Sequence, residues 1–258
     1  MFTSGAGRIS EESPNECGRG DALELDELKR EVLQANQQIV KYGLVVHTFG
    51  NVSGIARDEG LVVIKPSGVD YDQLRPEDMV VSDLDGQIVE GALKPSSDLA
   101  THLVLYRSFQ EIGGVVHTHS EHATAWAQAG RAIPCYGTTH ADYFHGPVPV
   151  TEMLTSEEVG TEYVRNTGEV IIRCFRKLDP MSVPAVLVAG HAPFCWGKTI
   201  GEAVHNAVTL EYVAKLALHT EALAGTTSGI PQHLLDRHHK RKHGPTATYG
   251  QAAQGEKQ

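Results

Sequence analysis

The stretch Gly113-Gly114-Val115-Val116-His117-Thr118-His119-Ser120 is a short β-branched run entered through two glycines and closed by a His-x-His pair. Such a run reads as a buried strand. Successive side chains on a strand alternate faces, so His117 and His119 project to the same side. Two imidazoles on one face can share one divalent ion, and a catalytic site needs at least a third ligand. His191, in Gly190-His191-Ala192-Pro193, follows another compact apolar run and is one candidate. Asp98, in Lys94-Pro95-Ser96-Ser97-Asp98, offers a carboxylate oxygen. Three imidazoles and a carboxylate suit zinc or another borderline divalent ion. With 14 histidines in the chain, spacing alone leaves a chance pair open as well. His102, His205 and His219 fall on expected helices and read as structural or surface residues.

Outward from that strand the chain alternates short β-rich runs with helical periodicity. A helix is expected over 23–42, where Leu25, Leu28, Val32, Ile39 and Val40 form a stripe and Gly43 is a natural stop. Strands are expected over 44–48, 51–56, 61–65, 79–82, 87–90, 115–119 and 185–189, with Gly- and Pro-rich turns between the early ones. Further helices are expected over 97–109, 123–129, 157–177 (interrupted at a glycine), 201–223 and 231–239, the last entered at a proline. No internal repeat or low-complexity linker divides residues 21–251. The pattern predicts one mixed α/β domain over 23–251, with a mainly antiparallel sheet flanked by helices. Residues 1–22 read as a disordered leader and 252–258 as a flexible tail.

Composition narrows the function. The 258 residues are 41% hydrophobic and 21% charged, with a formal charge of -10. That balance supports a soluble core and argues against nucleic-acid binding, which needs basic residues on phosphates. A local pocket can still accept an anionic substrate. No apolar run reaches the ~18 residues of a membrane span. The N-terminus lacks a signal-like apolar stretch. The four cysteines, Cys17, Cys135, Cys174 and Cys195, are isolated, which fits a reducing, cytoplasmic setting.

Three segments carry anion-binding chemistry: Gly50-Asn51-Val52-Ser53, Lys65-Pro66-Ser67-Gly68 and Pro95-Ser96-Ser97-Asp98. Each borders an expected element and offers hydroxyl, amide or backbone N–H donors. Ser96 and Ser97 open an expected helix, where the dipole favours an anion. Turn and N-cap chemistry alone explains the same residues.

Seven blocks in order are similar to the class II aldolase family of sugar-phosphate enzymes, over about residues 26–251. They are Thr48-Phe49-Gly50-Asn51-Val52-Ser53, the run Val63 to Tyr71, Lys94-Pro95-Ser96-Ser97-Asp98, the run Gly113 to Ser120, Gly137 to Phe144, His191-Ala192-Pro193-Phe194, and the tail Leu234-Leu235-Asp236-Arg237-His238 with Arg241-Lys242-His243-Gly244. Within that family the chain most resembles the pentulose-phosphate 4-epimerases. The resemblance implies a central antiparallel sheet flanked by helices, and a cyclic homotetramer with active sites between subunits. It implies a zinc ion held at His117, His119, His191 and Asp98. It implies a substrate phosphate held at Gly50, Asn51, Ser67, Gly68, Ser96 and Ser97, with Lys65 adding charge. The activity implied is interconversion of L-ribulose 5-phosphate and D-xylulose 5-phosphate, as in arabinose catabolism. It proceeds by cleavage and re-formation of C3–C4, with zinc as Lewis acid and Asp142 and Tyr249 as acid/base groups. The tyrosine, and His238 as an orienting residue, are implied to come from a neighbouring subunit. Family aldolases place Glu where this chain has Asp98 and lack the Thr138-Thr139-His140-Ala141-Asp142 block. An epimerase for another pentulose 5-phosphate, a sugar-phosphate aldolase and a non-catalytic scaffold are the alternatives, the last opposed by the complete ligand set. Thr248, where relatives carry a second aromatic, and the leader depart from the pattern.

Overall fold

A computed structural model describes residues 17–243, with side chains from Glu24 onward. Tyr249 and Thr248 lie outside the described residues, as does most of the expected leader. The strands are β1 (Gly50–Ala56), β2 (Leu61–Ile64), β3 (Val80–Asp83), β4 (Ile88–Glu90), β5 (Gly114–Thr118), β6 (Ala185–Leu187) and β7 (Pro193–Gly197). They form one sheet in the order β4-β3-β2-β1-β5-β7-β6, and every neighbouring pair is antiparallel. The helices are α1 (Cys17–Lys41), α2 (Leu99–Ser108), α3 (Glu121–Gln128), α4 (Thr138–Ala141), α5 (Ser156–Gly160), α6 (Tyr163–Cys174), α7 (Ile200–Ala224) and α8 (Gln232–His243). No described helix is long and apolar enough to cross a membrane.

Helices cover both sheet faces, so the central strands bury apolar residues on both sides, with the polar side chains Asn51, Ser53 and His117 buried among them on one face. Val52, Val63, Val81, Val116 and Cys195 pack with α1, α3 and α7 on one face. Ile64, Val80, Val115, Phe194 and Trp196 pack with α2 and α6 on the other. The two valines of β5 therefore feed opposite cores, and His117 follows on the α2/α6 side.

Several boundaries differ from the sequence reading. The expected strand over 44–48 is a loop of turns, with His47 at φ +52°. Both edges of the following strand are taken by β2 and β5, so this segment has no edge to pair with. β7 was not expected, because Pro193 reads as a breaker. Proline is tolerated here as the first residue of the strand. β6 ends at Leu187 rather than 189, since His191 N–H closes a turn onto the Val188 carbonyl. α1 begins at Cys17, inside the expected leader. α2 begins at Leu99 rather than 97, because Ser96 N–H is drawn to the Lys65 carbonyl at 2.9 Å. α8 runs on to His243, ending in Lys240, Arg241, Lys242 and His243, a last turn that suits the negative end of the helix dipole.

Two buried histidines outside the His-x-His pair make stability depend on pH. His102 is paired with the Ser53 hydroxyl at 2.7 Å, and burial pushes its imidazole down to about 4. His140 Nε2 donates to the Gly146 carbonyl at 2.7 Å, and burial likewise lowers it to about 4. The unfolded chain protonates such groups near 6.5, and the folded chain only near 4. Stability is thus fully present above about pH 6.5 and falls as pH drops toward 4. Urea midpoints should fall steadily between pH 6.5 and 5; a flat profile over that range would contradict the neutral assignment.

Candidate active site

Pairing register builds the centre of the site. Asn51 of β1 lies opposite His117 of β5, and His117 lies opposite Phe194 of β7. Opposite residues share a face, so these three side chains form one row. Phe194 stacks on His117 with centroids 4.2 Å apart and an interplanar angle of 17°. His117 Nδ1 donates to the Pro193 carbonyl at 2.9 Å. That bond selects the tautomer with its Nε2 lone pair free. His119 stands just past the strand end, and His191 sits in the β6–β7 turn beside Gly190, at φ +70°.

The three imidazoles converge. Their ring centroids are 5.0, 5.0 and 5.1 Å apart, and one nitrogen from each falls within 4.8 Å of the others. His191 Nδ1 is buried with no hydrogen-bond partner. Burial lowers His117 to about 3 and also lowers His119 and His191, so all three rings are neutral and can ligate near pH 7. Asp98 lies beside this group rather than within it: its Oδ2 is 4.0 Å from His117 Nε2 and accepts from Asn51 Nδ2 at 2.7 Å. Burial alone would raise the Asp98 carboxyl. The neighbouring imidazoles of His117 and His102 and the Asn51 amide hold it below the usual carboxylate range. Three neutral imidazoles, an orphaned ring nitrogen and an adjacent carboxylate fit a divalent metal ion.

The anion-binding segments meet at the same place. An isolated antiparallel bridge joins Pro66 to Pro95, with Ser67 N–H on the Lys94 carbonyl and Ser96 N–H on the Lys65 carbonyl, both at 2.9 Å. The two loops, about thirty residues apart in the chain, are thereby clamped side by side. Tyr71 donates to the Gly50 carbonyl at 2.7 Å and ties in the third segment. Lys65 is 2% exposed, with Nζ 3.1 Å from the Pro66 carbonyl and 4.8 Å from the Tyr71 ring centre. Burial lowers its ammonium below the ordinary lysine range.

One cavity of about 480 Å³ is lined by Gly50, Asn51, Lys65, Ser67, Gly68, Ser96, Ser97, Asp98, His117, His119 and His191. All the metal and phosphate candidates from the sequence therefore share one space. Thr48, Phe49, Tyr163 and Val164 line it too. The last two, at the start of α6, were missed. Their links to the site are tertiary: the Tyr163 ring lies 6.3 Å from that of His191, and the Thr101 hydroxyl of α2 donates to the Val164 carbonyl.

Asp142 does not line this cavity. It caps the end of α4 and is clamped by α8 of the same chain. His238 Nδ1 and Arg241 Nε each donate to Oδ1 at 3.0 Å, and Arg241 Nη2 donates to Oδ2 at 2.7 Å. Burial works to raise the Asp142 carboxyl, and the Arg241 and His238 contacts outweigh it and hold it low. Asp142 and His238 are thus joined within one chain. His205, read as structural or surface, pairs with the Tyr143 hydroxyl at 2.8 Å.

Residues 30–218 match the family described as Class II Aldolase and Adducin N-terminal domain. The chain belongs to this family. Over 227 residues it is 54% identical to the L-ribulose-5-phosphate 4-epimerase UlaF of Salmonella paratyphi C (strain RKS4594), covering 88% of this chain and 100% of the relative. Among solved structures, an L-fuculose 1-phosphate aldolase shares 26% identity at a TM-score of 0.72, covering 83% of this chain and 95% of that one. An L-fuculose-1-phosphate aldolase from Thermus thermophilus shares 25% identity at a TM-score of 0.62, covering 79% and 100%. These class II aldolase relatives carry sugar-phosphate substrates in their names, and the cavity joins a histidine cluster that could hold a metal ion to a wall built from the Ser67 and Ser96 loops.

Replacing His119 with Ala removes one of the three converging imidazoles. The purified variant should carry less than about a tenth of the wild-type metal by elemental analysis; full metal content would remove His119 from the ligand set.

Proposed function

We propose that this chain is a metal-dependent L-ribulose-5-phosphate 4-epimerase, interconverting L-ribulose 5-phosphate and D-xylulose 5-phosphate. The observation that carries the reading is the pairing of the histidine cluster with Asp98, rather than a glutamate, opposite the clamped Ser67/Ser96 loops. Full-length likeness to relatives named for this activity supports it. Simple proton abstraction cannot invert C4, because its hydrogen is not α to the C2 carbonyl. Breaking C3–C4 can, since C4 becomes a planar aldehyde that is open on both faces.

The phosphate lies against Gly50, Asn51, Ser67, Gly68, Ser96 and Ser97, with Lys65 adding positive charge. This anchor keeps the two-carbon aldehyde phosphate in the cavity while it turns. His117, His119 and His191 would hold the metal, proposed as zinc, with the adjacent Asp98 carboxylate as the fourth ligand. When bound, the ion stabilises negative charge on the C2 and C3 oxygens as a Lewis acid. One acid/base group takes the C4 hydroxyl proton as C3–C4 breaks, and another returns a proton to the C4 oxygen after attack on the opposite face. These roles belong to Asp142 and Tyr249. Asp142 lies outside its own chain's cavity and moves with His238 and Arg241. A neighbouring copy therefore presents all three, in a homo-oligomer proposed to be a cyclic tetramer with sites between subunits. The free thiols of Cys135, Cys174 and Cys195 support a cytoplasmic setting.

Incubation with L-ribulose 5-phosphate should yield D-xylulose 5-phosphate in a coupled assay. Release of dihydroxyacetone phosphate from a deoxy-ketose 1-phosphate, with no pentulose conversion, would instead favour the aldolase reading. Asp142→Asn should keep metal and assembly while kcat falls at least about 100-fold; unchanged turnover would remove Asp142 from the chemistry. In Arg241→Gln the Asp142 carboxyl loses its fork of donors and titrates higher. The acid limb of the kcat/KM profile should then move to higher pH, and an unmoved limb would show that Arg241 does not set this ionisation.

A further inference from the structure

His117 and His119 are fixed in different ways. The ring of His117 is held directly by the Pro193 carbonyl and the Phe194 face. Among the described residues the ring of His119 makes no hydrogen bond; it has ring contacts to His117, His191 and Phe49 and feels the charge of the Asp98 carboxylate. Its position is therefore set by its backbone. That backbone is a two-residue link, His119-Ser120, between the end of β5 and the first turn of α3.

The first turn of α3 is capped in an unusual way. Ser120 occupies the N-cap position, yet its side chain accepts no hydrogen bond from the helix. A carboxylate from another helix does this instead. Glu211 of α7 accepts from His122 N–H at 2.9 Å through Oε1 and from Ala123 N–H at 3.0 Å through Oε2. Oε1 also lies 2.6 Å from His122 Nδ1, and the Ser120 hydroxyl joins the same carboxylate. The side chains of Glu211 and His122 are 17% and 18% exposed, so water competes little for these bonds. Burial would raise the Glu211 carboxyl; the N–H groups it accepts from hold it below the ordinary range. One turn further along, Trp126 Nε1 donates to the Ala214 carbonyl, a second tie between α3 and α7.

We propose that Glu211 is a positioning residue for the metal ligand His119. By capping α3 from α7, it fixes where the helix starts and so where the link carrying His119 must lie. α7 also packs directly on β5 and β7, the strands that carry His117 and follow His191. One helix thus references all three imidazoles to a common frame. The inference rests on the proposed role of His119 as a ligand. It adds a residue that touches neither metal nor substrate.

The test is zinc affinity of the full chain, measured by competition with a chromophoric chelator, alongside the urea midpoint of the metal-free protein. Outer contacts that orient metal ligands typically contribute about 10- to 100-fold in affinity. Glu211→Ala should weaken zinc binding by about that factor. Glu211→Gln, which keeps one acceptor oxygen, should weaken it less and carries the test if the alanine variant does not fold. Trp126→Phe removes the second tie between the same helices. It should lower the urea midpoint while zinc affinity stays within about twofold of wild type. If Glu211→Ala and Glu211→Gln lower the midpoint but leave zinc affinity within twofold, the carboxylate is only a helix cap and the proposal fails. If zinc affinity in His119→Ala equals wild type, the ligand assignment itself fails, and with it the premise.

Discussion

The structure depends on the burial of β5 between two hydrogen-bonded neighbours. Paired to β1 on one side and β7 on the other, it cannot slip by one residue without moving its whole side-chain set to the opposite core. Val115 and Val116 lock that register by feeding different hydrophobic clusters. Each buried valine contributes on the order of 1.5–3 kcal/mol. The same register fixes the row Asn51, His117 and Phe194, so the geometry of the metal-binding cluster follows from core packing. A functional side chain on such a strand has little freedom to adjust, which suits a ligand that must be preorganised.

Around that row, burial decides protonation. His117 lies deep enough that its imidazole stays neutral far below physiological pH, and His119 and His191 shift the same way. Neutral rings are what a metal requires. The Asp98 carboxyl beside them is raised by burial but held below the usual range by His117, by His102 and by the amide that Asn51 donates. The anion-binding wall is organised independently, by the Pro66–Pro95 bridge and the Tyr71–Gly50 bond. Two preassembled halves thus line one cavity, the histidine cluster and the clamped Ser67/Ser96 loops. Lys65, buried between wall and sheet, supplies positive charge that the net charge of -10 does not predict.

The Asp142 cluster is a separate construction. Its carboxylate is held by an arginine fork and an imidazole from α8, contacts stronger than neutral hydrogen bonds and directional in geometry. The His243 ring also bonds the Asp142 carbonyl, and His145 bonds Asp236 on the same helix. The C-terminal helix is therefore fastened to the chain largely through the residue proposed for acid/base chemistry. Placement of Asp142 and placement of α8 become one structural problem.

The sequence by itself determined the antiparallel α/β class and most elements, because hydrophobic periodicity and turn residues are local signals. It also supplied the residue types of the site: the same-face pair His117 and His119 is a consequence of strand period alone. Asp98, His191 and the Ser67 and Ser96 loops needed the ordered set of family-like blocks, since nothing in their spacing from one another carries distance information. What only the tertiary structure decided was convergence. Sheet order set His191 beside β5 through β7, a strand hidden behind Pro193. The Pro66–Pro95 bridge brought two turns together. Packing of α6 on α2 added Tyr163 and Val164 to the cavity. The pairing of Asp142 with α8, rather than with its own cavity, is likewise a long-range contact. Periodicity reports which face a residue takes within one element; which elements share that face is set by how the whole chain buries its apolar surface.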